Sequence, residues 1–319
     1  MDEKFVCHRL RREFDKVGLT LALYYLLMTF MVFAAILVQQ VFLIFQSDTL
    51  SDEEIQSRIL ANGWGYILAI AVGCVILLLW KKPYFCLKTI WKKNRPMTVG
   101  DFLMLLCVFL SGQTFFFGFS SLMEFLSNLM GFSINESIES ASSIGNSVTL
   151  FLYGCILAPV FEEVLFRGLL LRMMEPYGKK FAVFATALLF GLFHANIVQS
   201  PFAFVVGLVL GYVTVEYGMI WSVVLHFINN FVLGDLLYRL TSNLEPWVSD
   251  VIYLGIISIC TVVTVILMVV KRREIMDYLL TKRIHPWSMK SFFTSPGILA
   301  FMILMVLNIL LTLVLQILA

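Results

Sequence analysis

Residues 155–171 read CILAPVFEEVLFRGLLL. Apart from Glu162, Glu163 and Arg167, every position in this run is apolar, a proline or a glycine. A charge at the centre of a bilayer costs at least ~2.5 kcal/mol, so three together need partners, a watery cavity or a use. Read as a transmembrane helix, the stretch makes the chain a membrane protein and marks a site within it.

The composition agrees. The 319 residues are 60% hydrophobic and only 14% charged, with 29 Phe, and the mean hydropathy is +0.90. A soluble domain is roughly 25% charged. The net charge of +2 hides where the Lys and Arg fall, and no basic stripe suggests nucleic acid. Six cysteines (7, 74, 86, 107, 155 and 260) lie scattered without CxxC spacing, which predicts small core residues rather than a disulfide or zinc framework. The first apolar segment is too long for a signal-peptide core, so it is expected to stay as an anchor.

Working outward, apolar runs suited to a ~20-residue crossing fall at 19–45, 64–80, 102–126, 148–171, 181–198, 201–216, 219–238, 249–270 and 297–318. The sixth and seventh are short, with a boundary near VEYGMI. The basic segments KFVCHRLRREFDK, KKPYFCLKTIWKKNRP, RMMEPYGKK and KRREIMDYLLTKRIH fall at alternate span ends, and the acidic or neutral SDTLSDEEIQ, SINESIESASS and TSNLEPWVSD lie between them. Nine spans with a cytoplasmic N-terminus satisfy all of these loops. Segments 81–96 and 271–292 read first as topology signals, with amphipathic helices on the inner leaflet as the alternative. The expected fold is all-α: a polytopic transmembrane helical bundle of eight or nine spans forming one integral membrane domain over 1–319, its motif-bearing core at about 148–238. Gly207 and Gly211 in GLVLG offer a close-packing face.

Polar exceptions gather in the fourth, fifth and seventh spans. Pro159 loosens the helix and frees a carbonyl just upstream. Glu162 and Glu163 point ~100° apart, so they should have different jobs. Glu163 and Arg167, acid before base at four-residue spacing, are set to form an ion pair. Glu162 is then the freer carboxylate, suited to proton transfer. Phe190 shares a face with His194, and His226 with Asn230. Asn229 points elsewhere, and Asn196 suits a cap. Any single His or Asn here is about as often interhelical hydrogen-bond glue, worth ~0.6–2 kcal/mol. Glu216 and Asp235, near span ends, should reach water, while Gln113 and Glu124 read as wall residues, and His8 and His285 as solvated. The convergence of two carboxylates, an arginine, two histidines and an asparagine on three helices, in a chain with four histidines, points to a site.

At these residues the sequence resembles the CAAX-protease and bacteriocin-processing (CPBP, or Abi) family of intramembrane proteases. That family carries EExxxR, FxxxH and HxxxN on successive helices, read here as Glu162-Glu163-x-x-x-Arg167, Phe190-x-x-x-His194 and His226-x-x-x-Asn230. The resemblance implies a hydrolase: Glu162 and His194 activating water, His226 and Asn230 stabilising the oxyanion, and Glu163 with Arg167 supporting them. It implies eight helices, one fewer than the segments counted here. No GxSxG or HExxH occurs. Glu162, His194 and His226 are possible zinc ligands, and the reading leans to metal-free hydrolysis with zinc as the alternative. The expected partners are a peptide or membrane-protein substrate and the lipid bilayer, with no nucleic acid, and the expected location is a bacterial plasma membrane. Counted at ~1.5 Å per residue, Glu162 and His226 should lie roughly 10–15 Å from the cytoplasmic ends of their spans and His194 nearer 20 Å, in a cytosol-facing cavity. Alternatives from other classes are a non-catalytic scaffold or bacteriocin-immunity protein using the same cavity, and a transporter; the lack of an inverted repeat counts against the last.

Overall fold

The computed structural model describes residues 3–46, 51–80, 90–142, 147–281 and 284–318. These are helical throughout, with no strand among them. In chain order the elements are α1 (Glu3–Gln46), α2 (Asp52–Leu60), α3 (Trp64–Trp80), α4 (Val99–Leu129), α5 (Asn135–Ser142), α6 (Val148–Tyr177), α7 (Lys179–Phe193), α8 (Gln199–Tyr217), α9 (Met219–Thr241), α10 (Pro246–Val270), α11 (Arg272–Leu280), α12 (Pro286–Phe293) and α13 (Pro296–Leu318).

All nine apolar segments of the sequence form helices, and among the described residues eight helices are long and apolar enough to cross a membrane. The exception is α7. It ends at Phe193 rather than near 198, because Ala195 turns the chain with φ 47° and Asn196 Oδ1 then accepts the N–H groups of Val198 and Gln199 at the start of α8. At 15 residues α7 spans about 22 Å. It is wrapped by its neighbours instead of by lipid: Phe181, Ala182, Ala185, Ala187 and Leu189 are fully buried.

Small residues let α8 approach α7. A Cβ on Gly207 would stand 3.3 Å from Ala187 Cα, and one on Gly211 would stand 3.0 Å from Val183 Cγ1, so the expected glycine seam is real and faces α7. Gly178 (φ 125°) and Gly218 (φ 103°) make the single-residue turns from α6 to α7 and from α8 to α9, in backbone conformations that side chains resist.

Around this centre, α1, α12 and α13 pack on α6 and α7 through Phe14, Phe181, Phe292 and Phe301. On the other side α4, α9 and α10 pack on α8 through Phe109, Leu210, Leu225 and Cys260. Helix α1 is 44 residues long, so the basic N-terminal segment continues the first span as helix and docks on the bundle through Phe14 and Val17. Segment 271–292 is largely helical, as α11 and α12, whereas most of the basic 81–96 segment and Cys86 lie outside the described residues. Cys155 and Cys260 are buried core residues, and Cys7, Cys74 and Cys107 are partly buried.

Candidate active site

Helix α6 is not a regular α-helix. It passes into π geometry at Leu152–Leu157 and again at Val164–Leu170, with a short α segment, Ala158–Glu163, between them. The first distortion has a cause in the sequence. Ala158 N–H bonds Tyr153 O five residues back, and in that register the donor for Gly154 O would be residue 159, a proline with no N–H. The orphaned carbonyl is satisfied from another helix, by Asn230 Nδ2 at 3.0 Å. Asn230 itself stands in a π segment of α9, Ile228–Leu236. Such π segments are uncommon and recur at functional sites.

The two adjacent carboxylates separate as their ~100° offset requires. Glu163 is fully buried, with Oε1 3.0 Å from Arg167 Nη1 and 3.1 Å from His226 Nδ1. Arg167, also fully buried, lies 4.1 Å from the Phe190 ring centre, and its Nη2 donates to Gly207 O at 3.4 Å. The expected ion pair therefore exists, and it extends across three further helices.

Glu162 turns to the other side. Its side chain is 24% exposed and borders a cavity of about 40 Å³ lined by Tyr24, Tyr153, Phe161, Leu165 and Phe193 among others. That volume suits about one water molecule. The nearest basic group is His226 Nε2, 3.9 Å from Glu162 Oε2.

Both histidines are held by one ring nitrogen. His194 Nδ1 lies 2.9 Å from Phe190 O, and because a carbonyl only accepts, Nδ1 carries the hydrogen and Nε2 is left with its lone pair. Its ionisable neighbours are Glu162, His226 and Arg167. His226 uses Nδ1 on Glu163, leaving Nε2 toward Glu162. Phe190 stands edge-on between them, 4.8 Å from the His194 ring and 6.0 Å from that of His226. The aromatic residue of FxxxH is thus the partition that spaces both imidazoles and carries the arginine on its face.

The fold brings five of the six expected residues, Glu162, Glu163, Arg167, His194 and His226, around Phe190. Asn230 joins one turn along α9, turned toward α6 by Gly154 O. Four residues were not singled out for the site in the sequence. Tyr24 and Tyr153 wall the cavity beside Glu162, and aromatic residues in apolar spans give no signal. Gln113 and Asn229 make an amide chain to Asn230, with Gln113 Nε2 donating to Asn229 Oδ1 at 2.8 Å and Asn229 Nδ2 donating to Asn230 Oδ1 at 3.0 Å. Gln113, expected as a wall residue, and Asn229, expected to point elsewhere, both face the site's edge. Asp235 is a further correction: it is buried and takes Arg239 Nε at 2.6 Å, because α9 runs on as helix to Thr241 and covers it. Glu162 also lies deeper than expected. Helix α6 continues to Tyr177 rather than 171, so Glu162 sits near its midpoint, about 22 Å from either end.

Among the described residues no three His, Cys, Asp or Glu side chains are gathered closely enough to hold one metal ion.

Residues 144–232 match the family model described as Rce1-like, type II CAAX prenyl endopeptidase. Neither a curated protein nor a solved structure matches the chain. The matched segment holds all three motifs and takes in α6, α7, α8 and α9 as far as its π segment, the stretch that carries Glu162, His194, His226 and Asn230. Over residues 144–232 this chain is similar to the Rce1-like family of type II CAAX prenyl endopeptidases, the family to which its three motifs point.

Proposed function

We propose that this protein is an intramembrane endopeptidase that hydrolyses a peptide bond of a membrane-associated peptide or protein by water activated at Glu162. The reading rests on one observation above all: of two adjacent carboxylates, Glu163 is locked by Arg167 and His226, while Glu162 is left facing a water-sized cavity. Glu162 takes a proton from water as its oxygen adds to the carbonyl carbon, and His194 Nε2 accepts the water's other hydrogen to orient it. The resulting oxyanion is met by His226, as the imidazolium with Nδ1–H on Glu163 and Nε2–H toward the oxygen, and by the Asn230 N–H not used on Gly154 O. Collapse breaks the C–N bond, and Glu162 returns its proton to the leaving amine. One water is consumed, and the acid formed passes its remaining proton to the amine, so that one carboxylate and one ammonium are released.

A general base of this kind contributes about 10²–10⁴-fold. The family match favours a prenylated CAAX-type C-terminus as substrate, and the alternation of basic loops favours a cytoplasmic N-terminus. The test uses the purified full chain in lipid vesicles, offered a farnesylated CAAX-ended peptide and its unlipidated counterpart, with products identified by mass spectrometry. Glu162→Gln should lower turnover at least ~100-fold while binding and melting temperature persist, since Glu162 takes no part in the buried ion pair. Turnover by Glu162→Gln at the wild-type rate would sink the reading.

A further inference from the structure

We infer that Gln113, on α4 and outside the family-matched segment, is a positioning residue for the reaction: acting through Asn229, it holds the Asn230 amide in the orientation that Gly154 O sets, with an N–H toward the substrate. The inference rests on the reading of Asn230 as an oxyanion donor.

An asparagine side chain is nearly symmetric in shape but opposite in chemistry at its two ends, so its neighbours decide which end donates. Three amides and one carbonyl form a single file here: Gln113, Asn229, Asn230 and Gly154 O. Its direction is set at the Gly154 end. That carbonyl can only accept, and the residue that would donate to it in the π register is Pro159. Asn230 must therefore present Nδ2 to Gly154, which turns Oδ1 toward Asn229. Asn229 must then present Nδ2, which turns its own Oδ1 toward Gln113, and Gln113 must present Nε2. Each distance, 2.8 to 3.0 Å, is that of a good hydrogen bond.

The other end of the file decides whether this order is stable. Asn229 and Asn230 are partly exposed, whereas Gln113 is buried at 8% exposure and reaches Asn229 from a different helix. Without a donor from Gln113, Asn229 gains by rotating to donate elsewhere, and Asn230 Oδ1 loses its only side-chain partner among the described residues. An Asn230 free to turn would at times set its oxygen, rather than an N–H, against the developing oxyanion. The effect falls on the transition state, where the negative charge forms, and not on binding the ground-state peptide.

The experiment compares wild type, Gln113→Leu, Gln113→Glu, Asn230→Ala and the Gln113→Leu/Asn230→Ala double variant as full chains in lipid vesicles. The probe is the farnesylated CAAX-ended peptide, with kcat and KM measured from about pH 5 to about pH 8, spanning the usual ionisation range of a glutamate and beyond. Gln113→Leu should lower kcat roughly tenfold with KM little changed, in line with the partial loss of one oxyanion donor. The double variant should be no slower than Asn230→Ala alone, because both remove one function. Gln113→Glu keeps the shape and donates only while protonated, so its kcat relative to wild type should fall as pH rises; a merely structural role gives a flat ratio. Gln113→Leu at the wild-type kcat while Asn230→Ala is slow would overturn the role of Gln113 and leave the oxyanion reading standing. Full kcat in Asn230→Ala would overturn the oxyanion reading itself. Should no turnover be seen, melting temperatures decide: coupling between the Gln113 and Asn230 substitutions supports the file, and strict additivity overturns it.

Discussion

At the scale of single residues, the buried Arg167 shows why an intramembrane ion pair is a commitment. Its guanidinium is fully buried against Glu163, Phe190 and Gly207 O, and Glu163 in turn holds His226. Removing one partner leaves the other charge buried and unmatched, which typically costs about 3–5 kcal/mol, whereas replacing both can be nearly neutral. Arg167→Met should therefore destabilise the protein by that order, and Arg167→Met/Glu163→Gln by clearly less, as read from unfolding in detergent. Equal losses in the two variants would mean that the pair's charge is matched elsewhere. Turnover should fall in both, because Arg167→Met leaves the carboxylate that holds His226 without its cation and the double variant removes that carboxylate. The pairing itself was legible in the four-residue spacing of Glu163 and Arg167. What the spacing did not carry was the third partner, since nothing in the chain says that α9 faces this side of α6.

The α7–α8 seam gives the element-scale case. A Cβ on Gly207 would come within 3.2 Å of Arg167 Nη2 and of Phe190 Cδ1, while the atoms nearest to one on Gly211 all belong to Val183. Overpacking of this kind costs about 1–3 kcal/mol at either position. Gly207→Ala alone pushes on the arginine and on the aromatic partition that spaces the two histidines. We expect Gly207→Ala and Gly211→Ala to lower the melting temperature similarly, and Gly207→Ala to lower kcat severalfold more. Parallel losses of kcat would detach the seam from the site. GLVLG was readable as a close-packing face. That the face meets α7, and that one glycine of the pair abuts the site, depends on which helices the bundle sets side by side.

Across the whole molecule, the chain is closed on itself at α1 and α13. Asp15 Oδ1 accepts Ser295 Oγ at 2.6 Å and Gly297 N at 3.0 Å, satisfying the first turn of α13. Beside it Gly18 and Gly297 let the two backbones touch; a Cβ on Gly18 would stand 2.1 Å from Gly297 C. No side-chain motion relieves a clash with backbone, so Gly18→Ala should separate α1 from α13 and cost about 3 kcal/mol or more. Tyr24 and Met28, which wall the cavity at Glu162, are carried on the same helix two to three turns further on, so the substitution should also alter KM for the farnesylated peptide. Unchanged stability would show that α1 and α13 are held together by something other than this contact.

By itself the sequence determined the helical, membrane-embedded class, the nine apolar segments, the Glu163–Arg167 pair and the three motifs, because each follows from composition or from spacing along one helix. It could not determine that α7 is too short to count as a crossing and is wrapped by protein, since an apolar run looks the same whether lipid or a neighbouring helix covers it. Nor could it determine that Glu163 reaches His226, that Asn230 mends the carbonyl orphaned by Pro159, or that Gln113 and Asn229 stand behind Asn230. Those contacts join residues 63, 76 and 116 positions apart. Helical periodicity specifies which face a side chain is on, and only the packed bundle decides what that face meets.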